Sequence, residues 1–203
     1  MLLDQGFLIR ESNMKFIPLF LNTFVRLLVP LLVFSHPGLT AVLVLLLDTI
    51  DAQFYLLADL SFKIYHRLDK FLDLYWYFFI FFYSLVYKPL SPVFFLIILF
   101  FLIRLCGDLF FYITGKRRVF LFFPNLLEPF FWFYLLSLQI KSINLTNPTI
   151  LASILLFVLV FKLSWEYLLH FNRPSDFTVL SKKLLKNYPS LQKFVFPPED
   201  ALY

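Results

Sequence analysis

The fold of this chain is decided by two apolar stretches that carry paired aspartates, VLVLLLDTIDAQFYLLA at residues 42–58 and YHRLDKFLDLYWYFF at residues 65–79. The aspartates are three residues apart in the first stretch and four apart in the second, so on helices each pair projects from one face. A charged side chain costs roughly 2.5–3.5 kcal/mol at the bilayer centre, and carboxylates kept at that cost usually have a function. A divalent cation can be bound by the four side chains, Asp48, Asp51, Asp69 and Asp73.

Composition indicates an integral membrane protein before any motif is considered. Of the 203 residues, 61% are hydrophobic and 15% charged, which lies well outside the usage of ordinary soluble domains. The single cysteine, Cys106, excludes an intramolecular disulfide, and its place in an apolar run indicates a packing role.

Six apolar runs are long enough to cross about 30 Å of hydrocarbon as helices. The expected fold class is an all-α integral membrane protein with six transmembrane helices, at 15–35, 38–61, 68–87, 91–114, 119–140 and 148–170. The first run is too long for a signal peptide and is expected to remain as a span. Outside the domain 15–170, residues 1–14 are predicted to lie along the interface. Residues 171–203 are predicted to form a cytoplasmic tail with a short amphipathic segment.

Basic residues are distributed unevenly between the two predicted sides of the membrane. With a cytoplasmic N-terminus, thirteen Lys and Arg residues fall on the inner side and only Lys88 and Lys141 on the outer side. This positive-inside bias predicts a multi-pass membrane protein with both termini cytoplasmic, in the plasma membrane if the host is prokaryotic. The net charge of +5 therefore indicates topology and affinity for anionic headgroups, and no nucleic-acid partner is expected.

Most polar residues of the predicted spans fall in the cytoplasmic half, which predicts a polar cavity that faces the cytoplasm. Besides the four aspartates, they are Arg104, Asp108, Asn125, Glu128, Lys162, Glu166 and His170. A small transporter would also place carboxylates in a cavity, but would more often spread them through the membrane or repeat them in two halves. No internal repeat is evident, although the transporter stays an alternative.

The aspartate spacing resembles a known family motif. Counted from Asp51, the others lie at −3, +18 and +22, the aspartate frame of D-x-x-D-G-x-x-A-R-x8-G-x-x-x-D-x-x-x-D in the CDP-alcohol phosphotransferase (CDP-alcohol phosphatidyltransferase) family. Six spans, a cytoplasm-facing site and a basic loop after the fourth span also resemble that family. Asn22 and Arg26 in the first span look similar too, with a looser spacing. The motif covers only residues 48–73.

The resemblance implies an enzyme of membrane phospholipid biosynthesis. Such an enzyme transfers a phosphatidyl or phosphoalcohol group from a CDP-linked lipid donor to a small alcohol acceptor, and CMP is released. In the family the first three aspartates hold one or two divalent cations, so Asp48, Asp51 and Asp69 would ligate Mg²⁺ or Mn²⁺ here. Asp73 would be the catalytic base and would share the metal. Family members are commonly homodimers, which implies a homodimer here.

The chain departs from the motif at the positions that are not aspartate. The first glycine is replaced by Ala52, the alanine by Tyr55, the arginine by Leu56 and the second glycine by Tyr65. In the family the small residues let the cytidine approach the backbone and the arginine contacts phosphate, so a tyrosine here would block a nucleotide sterically. Three alternatives stay open: an altered donor, a shifted binding mode, or a non-catalytic relative that acts as a membrane scaffold.

Several basic residues could supply the lost phosphate contact. The candidates are Arg67, Lys63, Arg104 and the loop Lys116, Arg117 and Arg118. Each has a simpler alternative. The loop residues suit headgroup contact on the inner side, and Arg104 with Asp108 is an i,i+4 pair that can neutralise itself.

The last two spans carry further polar groups with two interpretations each. Lys162, Glu166 and His170 form an i,i+4,i+8 stripe, in which His170 is either a metal or acid/base group or part of an interfacial ion pair. Asn125 and Glu128 follow Pro124 and suit helix capping and interhelical hydrogen bonding better than substrate contact.

Overall fold

A computed structural model describes residues 16–58, 62–89, 91–116 and 118–170, and this part of the chain is helical with no β-strand. Its helices are α1 (Phe16–Phe34), α2 (Pro37–Leu57), α3 (Phe62–Tyr87), α4 (Ser91–Thr114), α5 (Val119–Phe122), α6 (Leu127–Gln139) and α7 (Pro148–His170). The last part of α1, Val29–Phe34, is a 3-10 helix. The predictions for residues 1–14, for the tail 171–203 and for Arg117 fall outside the described residues. For the described residues, the predicted all-helical fold is confirmed.

Two helices, α1 with 19 residues and α4 with 24, are long and apolar enough to cross a membrane. Their outer faces are consistent with that environment, because large apolar side chains are exposed along α4: Leu102, Leu109, Phe110 and Ile113. A contiguous exposed apolar surface of this kind is rare on a soluble monomer. These helices indicate membrane association.

The fifth predicted span, 119–140, is not one continuous helix. Residues Phe123–Leu126 separate α5 from α6, because Pro124 has no backbone N–H to donate and its ring prevents a helical turn. The 13 residues of α6 give a helix of about 20 Å, shorter than about 30 Å of hydrocarbon. The other helices fall within a few residues of the predicted spans, except that α3 begins at Phe62 rather than near residue 68.

The main core lies between α3, α4 and α6 and consists largely of aromatic rings. Trp76 and Tyr83 of α3 both contact Phe131 of α6 edge-on, with centroids 6.0 and 5.7 Å apart, and Phe100 of α4 meets Phe130 at 5.3 Å. Offset and edge-on pairs stabilise such a core beyond the burial of their area. Contacts between aromatic rings, rather than close backbone approach at small residues, therefore join these three helices.

A close approach joins α4 to the segment between α5 and α6. A Cβ added to Gly107 would lie 2.6 Å from Cβ of Phe123, so only glycine fits here without movement. One turn further along α4, Phe110 stacks on Phe123 with centroids 5.5 Å apart. This contact fixes the linker beside the buried polar residues of α4.

A second, smaller apolar cluster joins the ends of the first three helices. Leu19 of α1 packs with Ala58 after α2, and Phe54, Tyr65 and Leu68 pack around them. About two turns beyond Leu68 on α3, the hydroxyl of Tyr75 donates to the carbonyl of Leu27 on α1 at 3.0 Å. Because α1, α2 and α3 are held together at this end, the polar faces of the three helices meet one another.

Candidate metal centre

All four aspartates of the motif converge on one arginine of α1. Arg26 is 6% exposed, and its Nη2 lies 2.9 Å from Oδ1 of Asp48 and 3.3 Å from Oδ1 of Asp73. Its Nη1 donates to Oδ2 of Asp51 and lies 3.7 Å from Oδ1 of Asp69. The helical spacing brings the two pairs onto the facing sides of α2 and α3, as the sequence predicts, and Arg26 fills the space between them.

A second cation, Lys70, lies at the α3 side of the cluster. Its Nζ is 2.9 Å from Oδ2 of Asp69 and also forms an ion pair with Oδ2 of Asp73. Lys70 is adjacent to one aspartate and three residues before the other, so both pairs form within a single helix turn. The two aspartates of α3 thus each contact both cations of the cluster.

Three of the aspartates have the geometry of a metal site. One carboxylate oxygen from each of Asp48, Asp51 and Asp69 lies within 4.8 Å of the others. Two oxygens that each lie about 2.0–2.6 Å from one ion are at most about 5 Å apart, so a spacing within 4.8 Å is compatible with a shared ion once the side chains adjust. Carboxylate oxygens are ligands that Mg²⁺ and Mn²⁺ prefer. This triad could hold a metal ion.

The cluster is buried on one side and open on the other. Asp51 is fully buried and Asp69 nearly so, whereas the side chain of Asp48 is 46% exposed. Asp48 therefore lies at the solvent-accessible edge of the cluster.

Asn22 adds an unused polar group on the same face of α1. Leu19, Asn22 and Arg26 are spaced i, i+3, i+7, and the outer two both face the seam with α2 and α3. Asn22 is 5% exposed, and neither its Oδ1 nor its Nδ2 has a hydrogen-bond partner among the described residues. A buried amide without partners is costly, so the polar atoms of Asn22 are available to hydrogen-bond a group that binds beside them.

Tyr65, which replaces the second glycine of the motif, contacts the cluster directly. Its hydroxyl donates to Oδ1 of Asp51 at 3.2 Å. The phenol O–H is thus a hydrogen-bond donor to one of the three carboxylates of the triad. Ala52, Tyr55 and Leu56 belong to α2, but their side chains are outside the described part, so the predictions for them stay predictions.

The second buried ion pair, Arg104 with Asp108, lies beside the cluster on α4. Nη2 of Arg104 is 3.2 Å from Oδ1 of Asp108, and both side chains are almost completely buried. The guanidinium lies 4.3 Å from the ring centroid of Phe120, and Nζ of Lys70 lies 5.9 Å from the same centroid. Phe120 therefore links the two polar groups, and Arg104 is paired within its own helix.

The other predicted phosphate-binding residues are exposed. Arg67 lies on α3, where its carbonyl accepts a hydrogen bond from Tyr112 at 2.9 Å. Lys116 follows α4, and Arg118 directly precedes α5. The described contacts to the aspartates come instead from Arg26, Lys70 and Tyr65. The sequence had indicated Arg26 only as a family-like residue of the first span and Tyr65 only as a departure from the motif, and it had not indicated a role for Lys70.

Asn125 joins the start of α6 to α3. Its Nδ2 lies 2.7 Å from the hydroxyl of Tyr77 and 3.1 Å from Oε2 of Glu128, and its Oδ1 accepts from the backbone N–H of Glu128 at 3.3 Å. This is helix capping combined with an interhelical hydrogen bond. Lys162 lies on α7, whereas the side chains of Glu166 and His170 are outside the described part.

Comparisons with protein-family models, with curated proteins and with solved structures give no match to this chain. The fold and the site define an all-helical protein, across its described residues, with two membrane-crossing candidates and a carboxylate triad that could hold a metal ion.

Proposed function

We propose that the chain is a multi-pass membrane enzyme of the CDP-alcohol phosphotransferase type. It would transfer a phosphatidyl or phosphoalcohol group from a CDP-linked lipid donor to an alcohol acceptor. The observation that supports this is the convergence of Asp48, Asp51, Asp69 and Asp73 at one point between three helices, in the spacing of that family's motif. If the four carboxylates were only solvated groups at helix ends, they would not need to meet around one buried arginine.

Each aspartate then has a chemical role. Asp48, Asp51 and Asp69 would hold Mg²⁺ or Mn²⁺, which neutralises phosphate charge when bound. Asp73 accepts the proton of the acceptor hydroxyl, whose oxygen forms a bond to the phosphorus that carries the lipid alcohol. The phosphoanhydride bond to the cytidine-bearing phosphate breaks, and CMP leaves with the electron pair.

The proposed phosphate contacts come from the exposed basic residues. Arg104 is paired with Asp108 and covered by Phe120, so it is a poor candidate for substrate contact. Arg67, Lys116 and Arg118 are exposed and remain the proposed phosphate contacts. The proposed partners are a CDP-linked lipid, a small alcohol and the anionic headgroups of the bilayer.

The proposed topology has six spans and cytoplasmic termini. The 21 residues of α2 and the 26 of α3 give helices of about 31 and 39 Å, enough to cross about 30 Å of hydrocarbon. α5 with α6 would cross as a broken span, in which Asn125 satisfies polar groups near the break. A homodimer is proposed from the family resemblance alone.

A non-catalytic or altered-donor relative is the second candidate. Tyr65 supports it, because its ring stands at a position where the motif has glycine and its hydroxyl engages a metal-site aspartate. A protein of this kind would keep a structural metal site but would not accept a CDP-linked donor.

The test is CMP release by the full-length protein in lipid nanodiscs with anionic lipids, from CDP-diacylglycerol and pooled alcohols. We expect release that requires Mg²⁺ or Mn²⁺ and falls by about 10²–10⁴-fold in Asp73→Asn. The matched control is Asp200→Asn, the same substitution outside the motif. Metal binding without CMP release in the unaltered protein would favour the second candidate.

A further inference from the structure

A cavity lies at the end of the bundle that is far from the aspartate cluster. Its volume is about 410 Å³, within the range of about 300–1,000 Å³ that small-molecule sites occupy. Its wall consists of the residues that follow α3, the start of α4, the end of α6 and the segment between α6 and α7. Lys88 in this wall follows Asp73 by 15 residues, or about 22 Å along a helix, so the cavity is separate from the candidate metal centre.

Two lysines, Lys88 and Lys141, line this cavity. They are the two basic residues that the sequence places on the outer side of the membrane, and they come from different loops of the chain. The fold therefore brings both outer cations to one small cavity. Two like charges at one site repel each other, and an anion bound between them would relieve that repulsion.

No carboxylate of the nearby sequence balances these two charges. The chain has no Asp or Glu from residue 74 to 107 or from residue 129 to 165, the two stretches that contain the lysines. Neither lysine forms an ion pair with a described residue, in contrast to Arg26, Lys70 and Arg104. The cavity can therefore accept a negative charge without displacing one.

Two other polar residues of the wall can donate hydrogen bonds. Oδ1 of Asn144 accepts from the backbone N–H and from the hydroxyl of Thr146, at 2.9 and 2.7 Å, so its Nδ2 is left to donate. Tyr134 also lines the wall, and its hydroxyl is a donor as well. Two ammonium groups with an amide and a phenol suit an anion that has several oxygens, such as a phosphate group.

The backbone of Lys88 is unusual for a lysine. Its φ is 41°, in the left-handed region, and its N–H donates to the carbonyl of Ser84 at 3.0 Å at the end of α3. Helices that end in this way usually have glycine or asparagine at this position. A lysine at a position that favours glycine points to a use for its side chain.

The surroundings of the cavity favour a lipid over a free anion. Large apolar side chains are exposed beside it on three helices, at Val86, Phe95 and Leu138. Helix α4 is long and apolar enough to cross a membrane, and its first turns form part of this end of the bundle. Lysines at such a boundary place their charge among the headgroups while their stems stay in apolar surroundings. An occupant with both a phosphate group and acyl chains fits these surroundings.

We propose that this cavity binds the phosphate group of an anionic phospholipid, with Lys88 and Lys141 as its cationic contacts. The site is independent of the proposed catalytic function, because it needs neither the metal nor a CDP-linked donor. In the proposed topology the bound lipid belongs to the outer leaflet. It would anchor the loop after α3 to the loop after α6.

The test is photo-crosslinking of the full-length protein in phosphatidylcholine nanodiscs that contain a small share of phosphatidylglycerol with a diazirine in its headgroup. Peptide mass spectrometry then locates the label. We expect labelling of the segments around Lys88 and Lys141, reduced about tenfold or more when both are changed, Lys88→Gln with Lys141→Gln. Lys88→Arg with Lys141→Arg keeps the charges and should keep the label. Labelling at the inner basic residues, Lys116 and Arg118, is the internal control and should not change.

Competition distinguishes the two sources of a phosphate group. Unlabelled phosphatidylglycerol in the nanodisc should displace the probe, whereas a large excess of inorganic phosphate should not. Displacement by inorganic phosphate would overturn the assignment to a lipid and make the cavity a site for a free anion. Absence of label at the cavity in the unaltered protein would overturn the site itself, and this result does not depend on the folding of a variant. Undiminished labelling in the double Gln variant would overturn the role of the two lysines.

Discussion

Nη2 of Arg26 on α1 lies 2.9 Å from Oδ1 of Asp48 on α2, at the exposed edge of a cluster that is otherwise buried. In this ion pair, Arg26 binds the most exposed carboxylate of the triad Asp48, Asp51 and Asp69. A cation that approached past Asp48 would meet the guanidinium first, so metal binding would compete with the Arg26 contacts for the same oxygens.

Arg26→Gln should therefore weaken the metal-free protein and increase its response to metal. Loss of one partner from a buried ion pair costs about 3–5 kcal/mol, and here it leaves carboxylates close together without their main counter-charge. Mn²⁺ can replace that charge. We expect a lower Tm than the unaltered protein without Mn²⁺ and a larger rise in Tm when Mn²⁺ is added, measured in nanodiscs. Arg67→Gln, at an exposed arginine, is the control. If Mn²⁺ raised the Tm of Arg26→Gln and of the unaltered protein equally, Arg26 and the metal would not compete for the same oxygens.

Much of the fold could be predicted from the chain because apolar runs and stop signals are local properties. The bounds of α4 and α7 agree with the predicted spans, and the spacing of the aspartates placed each pair on one helix face. The break at Pro124 was also a local signal, but the apolar run through residues 119–140 obscured it. Local periodicity is a weak guide where one proline interrupts it.

The centre of the site could not be predicted in the same way. Whether Arg26 points to lipid or to α2 and α3 depends on how α1 docks, and no periodicity in one helix encodes that docking. A rule was nevertheless available: a charged residue within a span pairs with an opposite charge, and the aspartates were the nearest excess of negative charge. Applied to Arg26, this rule would have found the pairing. The hydrogen bond from Tyr65 depends on packing between α2 and α3 and had no such signal.

Asp51 and Asp48 should contribute unequally to metal binding. Asp51 is fully buried, so water cannot easily replace its oxygen, whereas the side chain of Asp48 is 46% exposed and a water can take its place as a ligand. We expect Asp51→Asn to lower Mn²⁺ affinity at least about tenfold more than Asp48→Asn, a difference of about 1.4 kcal/mol. The affinity of each variant is obtained by titrating it with Mn²⁺ and measuring the concentration of free Mn²⁺. Equal losses would show that both carboxylates are equally solvated in the bound state.

The Arg104–Asp108 pair should act on stability rather than on catalysis. Asp108→Leu leaves the buried guanidinium of Arg104 without its carboxylate and should cost about 3–5 kcal/mol. The double variant Arg104→Met with Asp108→Leu removes both charges and should recover most of the lost Tm. CMP release by the double variant should remain within about threefold of the unaltered protein. A large loss of release at full stability would instead make Arg104 a phosphate contact.

Gly107 should not tolerate a methyl group. A Cβ at this position would lie 2.6 Å from Cβ of Phe123, and overpacking of a closely packed contact costs about 1–3 kcal/mol. Gly107→Ala is therefore expected to lower the Tm, and Phe123→Ala in the same chain should restore part of it. Gly38→Ala is the matched control, because the nearest atom to its added Cβ is a flexible side-chain nitrogen of Gln139 at 3.7 Å. A Tm unchanged in Gly107→Ala would show that the linker between α5 and α6 moves aside.

Tyr65→Gly should show whether the chain accepts a nucleotide-linked donor. The tyrosine ring fills a position where the family motif has glycine, and its hydroxyl holds Asp51 at 3.2 Å. Tyr65→Gly removes both the bulk and the hydrogen bond, whereas Tyr65→Phe removes only the hydrogen bond. If steric bulk limits access of the cytidine, KM for CDP-diacylglycerol should fall in Tyr65→Gly and stay unchanged in Tyr65→Phe. A lower KM in both variants would assign the effect to release of Asp51. No CMP release from either variant, with Mn²⁺ still bound, would point to the altered-donor or non-catalytic candidate.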